Sequence, residues 1–278
     1  MKIISTYRKW RNVISNGDLM TDTLKKDRRF ASTLARGLSI LRVFRASDDG
    51  LSHMEIAERT GLPNATVSRL TYTLRELGYL SHAGKNDRYR LGPAALAVGN
   101  VASASVSFLE TADEPMQSLA NATGTLALLA VCDGEKMMLV KTWRPVETEA
   151  IWLEPGHRLP IFGSSSGMSV LACLSDAAFN ATQPDDELRA FRQAGYEQLL
   201  ARGFAIAPAA TRYAASVNAV SVPFYAGEFG EPAAFSCGAL PTILNDHRME
   251  NEVGPKLRDT VRALEARTGR SPALLRRG

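Results

Sequence analysis

From Leu51 to Leu91 the chain spells a short helix, a tight turn, a second helix and two brief strands, and this order leaves few folds open. Ser52-His53-Met54-Glu55 has the S-x-x-E spacing of a capping box, so a helix begins there, and Gly61 stops it directly after Thr60. Leu62-Pro63 restarts the chain, because the first turn of a helix tolerates proline's missing N–H. In the second helix Val67, Leu70, Leu74 and Leu77 fall on one stripe with the spacing of a buried face, and Gly78 ends it. The opposite face carries Ala65, Ser68, Arg69 and Tyr72, with Asn64 and Thr66 in the first turn. Two helices about a tight turn, the second with a polar outer face, are the build of a major-groove reader; an ordinary helical hairpin inside a core is the plainer alternative.

The following segment and the charge distribution favour the first alternative. Tyr79-Leu80-Ser81 and Arg88-Tyr89-Arg90-Leu91 alternate like short strands about the turn-rich His82-Ala83-Gly84-Lys85-Asn86-Asp87. Such a wing brings Lys85 and Arg88 within reach of a phosphate chain. Residues 1–91 hold 17 Lys and Arg against 9 Asp and Glu, whereas residues 92–278 hold 16 against 20. The sequence pI near 9.0 therefore describes only the front third. A basic small domain ahead of an acidic larger one suits a polyanion-binding module carried by a body that need not touch the polymer.

The 278 residues, 45% hydrophobic, suffice for two domains with real cores. No apolar run approaches the ~18 residues of a membrane span, and no secretory signal is expected, because Tyr7 to Arg11 interrupts the basic start. Cys132, Cys173 and Cys237 are scattered in apolar sequence and read as reduced residues of a cytoplasmic protein. The four histidines show no paired spacing, so neither a metal nor a cofactor is expected. Residues 1–30 read as a flexible basic tail, with Met20 as an alternative start. Leu34, Leu38 and Leu41 are expected on the inner face of a first helix capped by Ser32 or Thr33, which completes a DNA-binding domain over 31–91. Residues 92–110 follow as a linker, its Ala-rich helix from Ala94 to Leu109 suited to packing on an identical copy.

Over 111–270 the pattern predicts a hairpin, Thr125–Cys132 and Met137–Thr142 about Asp133-Gly134, and a third strand over Glu149–Leu153. Helices are expected from Gly167 to Leu174, Asp185 to Arg202 and Arg248 to Thr268, and strands from Ser216 to Phe224 and Ala233 to Leu240. Hairpins flanked by helices indicate an antiparallel sheet covered on one face, an α+β sensor-type domain.

From Leu34 to Thr268 the chain resembles the IclR family of bacterial transcription regulators. The resemblance rests on Arg36-Gly37-Leu38-Ser39-Ile40-Leu41, on Ile56-Ala57-Glu58-Arg59-Thr60-Gly61-Leu62-Pro63, on Thr66-Val67-Ser68-Arg69-Leu70, on Leu74 through Leu80 and on Tyr89-Arg90-Leu91-Gly92. In the rear half Gly156 to Pro160, Ser164 to Leu174, Arg202-Gly203-Phe204-Ala205, Val220 to Pro223 and Ala233 to Gly238 match family landmarks more loosely. The resemblance implies an α+β protein: a winged helix–turn–helix, a helical linker that makes a dimer or a dimer of dimers, and a GAF-like effector-binding domain. It also implies a pocket at Phe162, Gly163, Ser164, Ser165, Ser166 and Gly167, with Ser236 and Gly238 inward on the last strand and Cys237 between them. Trp143 and Trp152 are expected as apolar or stacking walls. The loop feeds a helix N-terminus, whose free N–H groups favour a carboxylate, so a small organic acid is the expected effector, with aromatic acids among the candidates. Two departures concern this pocket. Ala207-Pro208-Ala209-Ala210-Thr211-Arg212-Tyr213 has no acidic residue where the family usually has one, which leaves Arg212 as a partner for the acid, and Ser166-Gly167-Met168-Ser169 replaces the usual basic motif.

On duplex DNA, Asn64, Thr66, Ser68 and Arg69 are expected at base edges, Tyr72 and Arg75 at the backbone, and Lys85 and Arg88 at phosphates of a pseudo-palindromic operator. Two other readings compete. Gly163-Ser164-Ser165-Ser166-Gly167 fits the G-x-S-x-G elbow of a serine hydrolase, with Asp185 or Asp186 and then His247 in triad order. That fold needs parallel strands upstream, where this chain has a helix–turn–helix and a hairpin. The remaining reading is a DNA-binding protein whose second domain serves assembly alone.

Overall fold

Ser52 opens its helix as the spacing predicts: its hydroxyl accepts the Glu55 N–H at 3.3 Å while the Glu55 carboxylate takes the Ser52 N–H at 2.8 Å. In the computed structural model, which describes residues 29–82, 88–134, 136–146 and 151–276, the chain divides into two units between Ala104 and Ser105. The front unit comprises α1 (Ser32–Leu41), α2 (His53–Thr60), α3 (Asn64–Glu76), β1 (Leu80–His82), β2 (Tyr89–Leu91) and α4 (Pro93–Ala104). Gly61 ends α2 in the left-handed region at φ 68°, which glycine enters without a Cβ penalty. Pro63 stands one residue outside α3, as its N-cap, rather than within the first turn.

Two stripes differ from expectation. In α1 the buried residues are Gly37 and Ile40, whereas Leu34 and Leu38 are 62% and 49% exposed, and Ala31 rather than Ser32 or Thr33 holds the cap position. Leu41 shares both spacings, and the winning stripe is the one that continues into Val43 and Phe44, which pack on the same core. In α3 the inner face is Val67, Leu70 and Thr71, with Leu74 against it, and Leu77 is 62% exposed at the helix end. Thr71 enters the core because its hydroxyl donates to the Val67 carbonyl at 2.9 Å, which removes the cost of burying it. The wing is antiparallel, Leu80 opposite Leu91 and His82 opposite Tyr89, and Leu51 adds a bridge on the outer side of Tyr89.

The expected Ala94–Leu109 helix is two helices, α4 and then α5 (Ser107–Thr123), parted at Ser105 and Val106. The rear unit continues with β3 (Leu126–Asp133), β4 (Lys136–Trp143), β5 (Arg158–Pro160), α6 (Ser165–Cys173), α7 (Asp176–Ala181), α8 (Asp186–Arg202), β6 (Asn218–Ala226), β7 (Glu231–Ala239) and α9 (Gly254–Arg267). A helical turn at Asp246–Arg248 and a π turn at Met249–Val253 lead into α9. The five strands run in the order β5-β4-β3-β7-β6, every pair antiparallel. The third strand is Arg158–Pro160; of the expected Glu149–Leu153, residues 151–153 are irregular and 149–150 lie outside the described residues.

Both faces of this sheet are covered, not one. Ala127, Leu129, Trp143, Val222, Phe224, Phe235 and Cys237 pack with Phe108, Met116, Leu257 and Val261 of α5 and α9. Leu126, Leu128, Ala130, Met137, Leu139 and Ala234 point the other way, toward Val170 of α6. Burial on both sides explains why β3 reads as an unbroken apolar run rather than an alternation.

Candidate nucleic-acid interface and ligand cradle

Burying Val67, Leu70 and Thr71 turns the other side of α3 outward, so Asn64, Ser68, Arg69, Tyr72 and Arg75 are exposed and Thr66 is half-buried. Tyr72 is 59% exposed, with the Arg75 guanidinium 5.3 Å from its ring centroid. Arg75 also pairs with Glu76 at 2.8 Å, an exposed pair of the kind that contributes little. Arg69 extends from the middle of this face, and its length and planar fork suit a bidentate contact to guanine. These residues come together on one helix face as their spacing predicts.

The wing does not present Arg88 as expected. Its Nε donates to the carbonyls of Asp49 and Gly50 at 3.1 and 3.2 Å, and its Nη2 donates to Gly50 at 3.0 Å and to the Glu55 carboxylate at 2.9 Å. Arg88 therefore anchors the root of the wing to the start of α2. The Ser52 amide and hydroxyl, with Arg88 behind them, hold the Glu55 carboxyl at about 2, below its ordinary 4.5. Arg90, exposed and paired with Asp49, was not singled out from sequence, where its alternation with Tyr89 is the signal that places it outward. Lys85 lies outside the described residues.

In the rear unit, Phe162–Gly167 forms a tight loop into α6. Ser164 caps that helix by accepting the Gly167 N–H at 3.1 Å. A Cβ on Gly163 would lie 2.3 Å from the Thr211 carbonyl oxygen, and one on Gly167 would lie 2.1 Å from that of Ile161. Backbone thus crosses backbone on both sides of the loop, and only glycine fits. Phe162 packs on Phe191 of α8 at 4.8 Å between ring centroids, so it serves the α8 side of the core.

The serines are committed to the fold. Ser165 donates to the Ala219 carbonyl at 2.7 Å and accepts the Ala207 N–H at 3.0 Å. Ser169 donates to the Ser221 carbonyl at 3.1 Å, and the Ser221 and Ser236 hydroxyls are 2.7 Å apart. Ser166 lies 3.4 Å from the Ser164 hydroxyl, both buried. This polar seam fastens α6 across β6 and β7. A buried, doubly bonded Ser165 on an antiparallel sheet is not the strained elbow of a parallel-sheet hydrolase.

Other expected pocket residues are dispersed by strand alternation. Ser236 and Gly238 sit opposite Leu128 and Leu126, on the α6 face. Cys237 and Trp143 belong to the opposite face: Trp143 donates to Asp113 at 2.9 Å, and burial pushes the Cys237 thiol up to about 12. Trp152 is 69% exposed, with the Arg144 guanidinium 4.2 Å from its ring centroid, so it is no buried wall. Arg212 does lie beside the loop, but its guanidinium donates to the Ala207 carbonyl, to Asn218 and to Asp246. The Asp246 carboxylate pairs with it at 3.3 Å. The α6 side is otherwise apolar, with Leu126, Leu128, Met137, Leu139, Ile151 and Tyr213 clustered there, and burial raises the Tyr213 phenol.

The chain thus places a winged helix–turn–helix ahead of an α+β sheet unit with a glycine-serine loop at a helix start. The IclR helix-turn-helix domain matches residues 33–84, and the bacterial transcriptional regulator IclR C-terminal domain matches residues 101–266. The chain belongs to the IclR family. It is 29% identical over 153 residues to the Pca regulon regulatory protein of Pseudomonas putida, 55% of this chain and 52% of that protein, and so spans about half that relative's length. The crystal structure of an IclR family transcriptional regulator from Brucella abortus is similar at a TM-score of 0.67 and 27% identity, covering 90% of this chain and 97% of that one. An IclR homolog from Microbacterium hydrocarbonoxydans, crystallised with 4-hydroxybenzoate, shares the fold at a TM-score of 0.61 and 20% identity, covering 83% and 99%.

Proposed function

We propose that this chain is a sequence-specific DNA-binding regulator of the cytoplasm, acting as a dimer or dimer of dimers on a pseudo-palindromic operator. Its DNA affinity responds to a small organic acid. The observation that carries the reading is the outer face of α3: Asn64, Ser68, Arg69 and Tyr72 stand exposed on a helix whose opposite side is locked into the core. Asn64, Thr66, Ser68 and Arg69 meet base edges, Tyr72 and Arg75 the backbone, and Lys85 the phosphates. Self-association is supported by α4, which has no charged residue from Pro93 to Ala104 and leaves Leu96, Val98 and Val101 exposed. The domains of that reading are residues 31–91 for DNA, 92–110 for the linker and 111–270 for the effector.

The effector site is the α6 start. The first-turn amides of Ser165 and Ser166 suit a carboxylate, that of Gly167 being held by the Ser164 hydroxyl, while the apolar residues beside Ser236 and Gly238 suit the rest of a small acid. The aromatic acid held by the Microbacterium homolog is of this chemical class.

The test measures fluorescence anisotropy of the full chain on duplexes from the intergenic region upstream of its own gene and on unrelated duplex. Arg69→Ala is expected to relax discrimination at one base pair by about 1–3 kcal/mol, and Lys85→Ala to weaken all duplexes alike. Equal loss on both duplexes for both variants would overturn this division, and flat calorimetric titrations with aromatic and keto acids would remove the effector class.

A further inference from the structure

We propose that His53 is a positioning residue that fixes the recognition helix and the wing in one DNA-binding geometry, a role that rests on the front unit being a DNA binder. His53 is the first residue of α2 and belongs to neither element that would touch DNA. Its Nε2 nevertheless lies 2.9 Å from the Thr71 hydroxyl of α3 and 3.2 Å from the Tyr89 hydroxyl of β2. The imidazole also meets the Tyr89 ring edge-on at 4.9 Å, and His82 of β1 packs on that ring at 4.5 Å.

Thr71 and Tyr89 are both buried, at 0% and 5% exposure, so water cannot replace the bonds their hydroxyls make to His53. Because the Thr71 hydroxyl gives its proton to the Val67 carbonyl, Nε2 carries the proton that Thr71 accepts, with the Tyr89 oxygen as its second neighbour, and one atom ties the two elements. Thr71 is four residues from Val67 on the inner stripe, one residue on from the exposed face that carries Arg69 and Tyr72. Tyr89 lies between Arg88, which anchors the wing root, and the exposed Arg90. A shift of the wing relative to α3 thus breaks a bond to His53.

Function depends on that spacing. Base contacts from α3 and phosphate contacts from the wing reinforce each other only if both reach one duplex at once; otherwise the second contact loses its intramolecular advantage. The experiment uses full-length protein with a labelled duplex enriched from a random pool and an unselected duplex of equal length. Binding is followed over a range of KCl concentrations, with thermal unfolding measured in parallel. His53→Leu is expected to bind about 3–10-fold more weakly at low salt, and its log–log salt slope to fall in magnitude by about one, the value of one lost phosphate contact. Tyr89→Phe, which deletes a single oxygen and keeps the ring, is expected to shift the slope the same way. His53→Gln, whose amide nitrogen has about the same reach, is expected to restore most of it. Wild-type salt slopes in both His53→Leu and Tyr89→Phe, with affinity falling only as folding stability falls, would overturn the proposal. A wild-type chain that prefers no duplex and shows no salt dependence would instead refute the DNA-binding reading beneath it.

Discussion

Gly167→Ala sets two effects of opposite sign against each other. Gly167 lies within a helix, where alanine ordinarily stabilises by about 0.5–1 kcal/mol through lower backbone entropy in the unfolded chain. Here an added Cβ would stand 2.1 Å from the Ile161 carbonyl oxygen and 2.7 Å from its carbon and Cα. Those neighbours are backbone, so no side-chain rotation relieves the overlap. Overpacking costs about 1–3 kcal/mol where neighbours can shift, and a backbone neighbour puts the cost near the top of that range. The net expectation is a loss of about 2 kcal/mol, equivalent to roughly 4–8 °C in Tm for a unit of this size. Urea unfolding followed by tryptophan fluorescence in a Trp10→Phe background reads it directly, because the other two of the three tryptophans, Trp143 and Trp152, belong to the rear unit. Gly99→Ala in α4 of the front unit, followed by far-UV circular dichroism, is the control: nothing lies within 4 Å of its Cβ position, so the propensity gain should appear unopposed. If Gly167→Ala stabilised the chain as Gly99→Ala does, the close crossing of the loop and α6 would not exist.

Two further substitutions examine buried polar groups. Burial lifts the Glu265 carboxyl from 4.5 to about 7, against the pull of Arg262 and the Ala273 N–H. The folded value lies above the unfolded one, so its stabilising effect is complete below about 4.5 and is lost as pH rises through about 7. Glu265→Gln should therefore be more stable than wild type at pH 8, on the order of 2 kcal/mol, and similar to it at pH 4; parallel pH–stability curves would contradict this. Ser165→Ala leaves the Ala219 carbonyl and the Ala207 N–H without their partner and should cost about 1–3 kcal/mol in unfolding free energy. A p-nitrophenyl ester turnover present in wild type and lost in Ser165→Ala would revive the hydrolase reading.

The helix–turn–helix was legible because its signals are local. The capping box at Ser52 and Glu55, the left-handed stop at Gly61 and the polar outer face of α3 each depend on residues within one or two turns. The inner face of α1 was not, because two apolar stripes share Leu41 and the choice between them is made by Val43 and Phe44 packing on the core. Thr71 was missed for a related reason: a hydroxyl that bonds its own helix carbonyl is cheap to bury, which hydropathy alone does not register. Arg88 was misread because Glu55 and the carbonyls of Asp49 and Gly50, which claim its guanidinium, lie more than thirty residues away.

The ligand side shows what sequence order conceals. Ser236, Cys237 and Gly238 are consecutive, yet successive strand residues face opposite ways, so Cys237 joins Trp143 beneath α5 and α9 while its neighbours face α6. Pairing settles the face, since Cys237 stands opposite Ala127 and Ser236 opposite Leu128 of a strand buried on both sides. Arg212 makes the complementary point about charge. Its chemistry suits a carboxylate, and the fold supplies Asp246, thirty-four residues away, together with Asn218. An incoming acid would have to displace a partner already in place at Arg212, and at the α6 start it would meet the Ser165 and Ser166 amides, the Gly167 amide being held by the Ser164 hydroxyl. The proposed effector site therefore rests on the helix start that Ser164 and Gly167 shape rather than on the Arg212 side chain, where composition points.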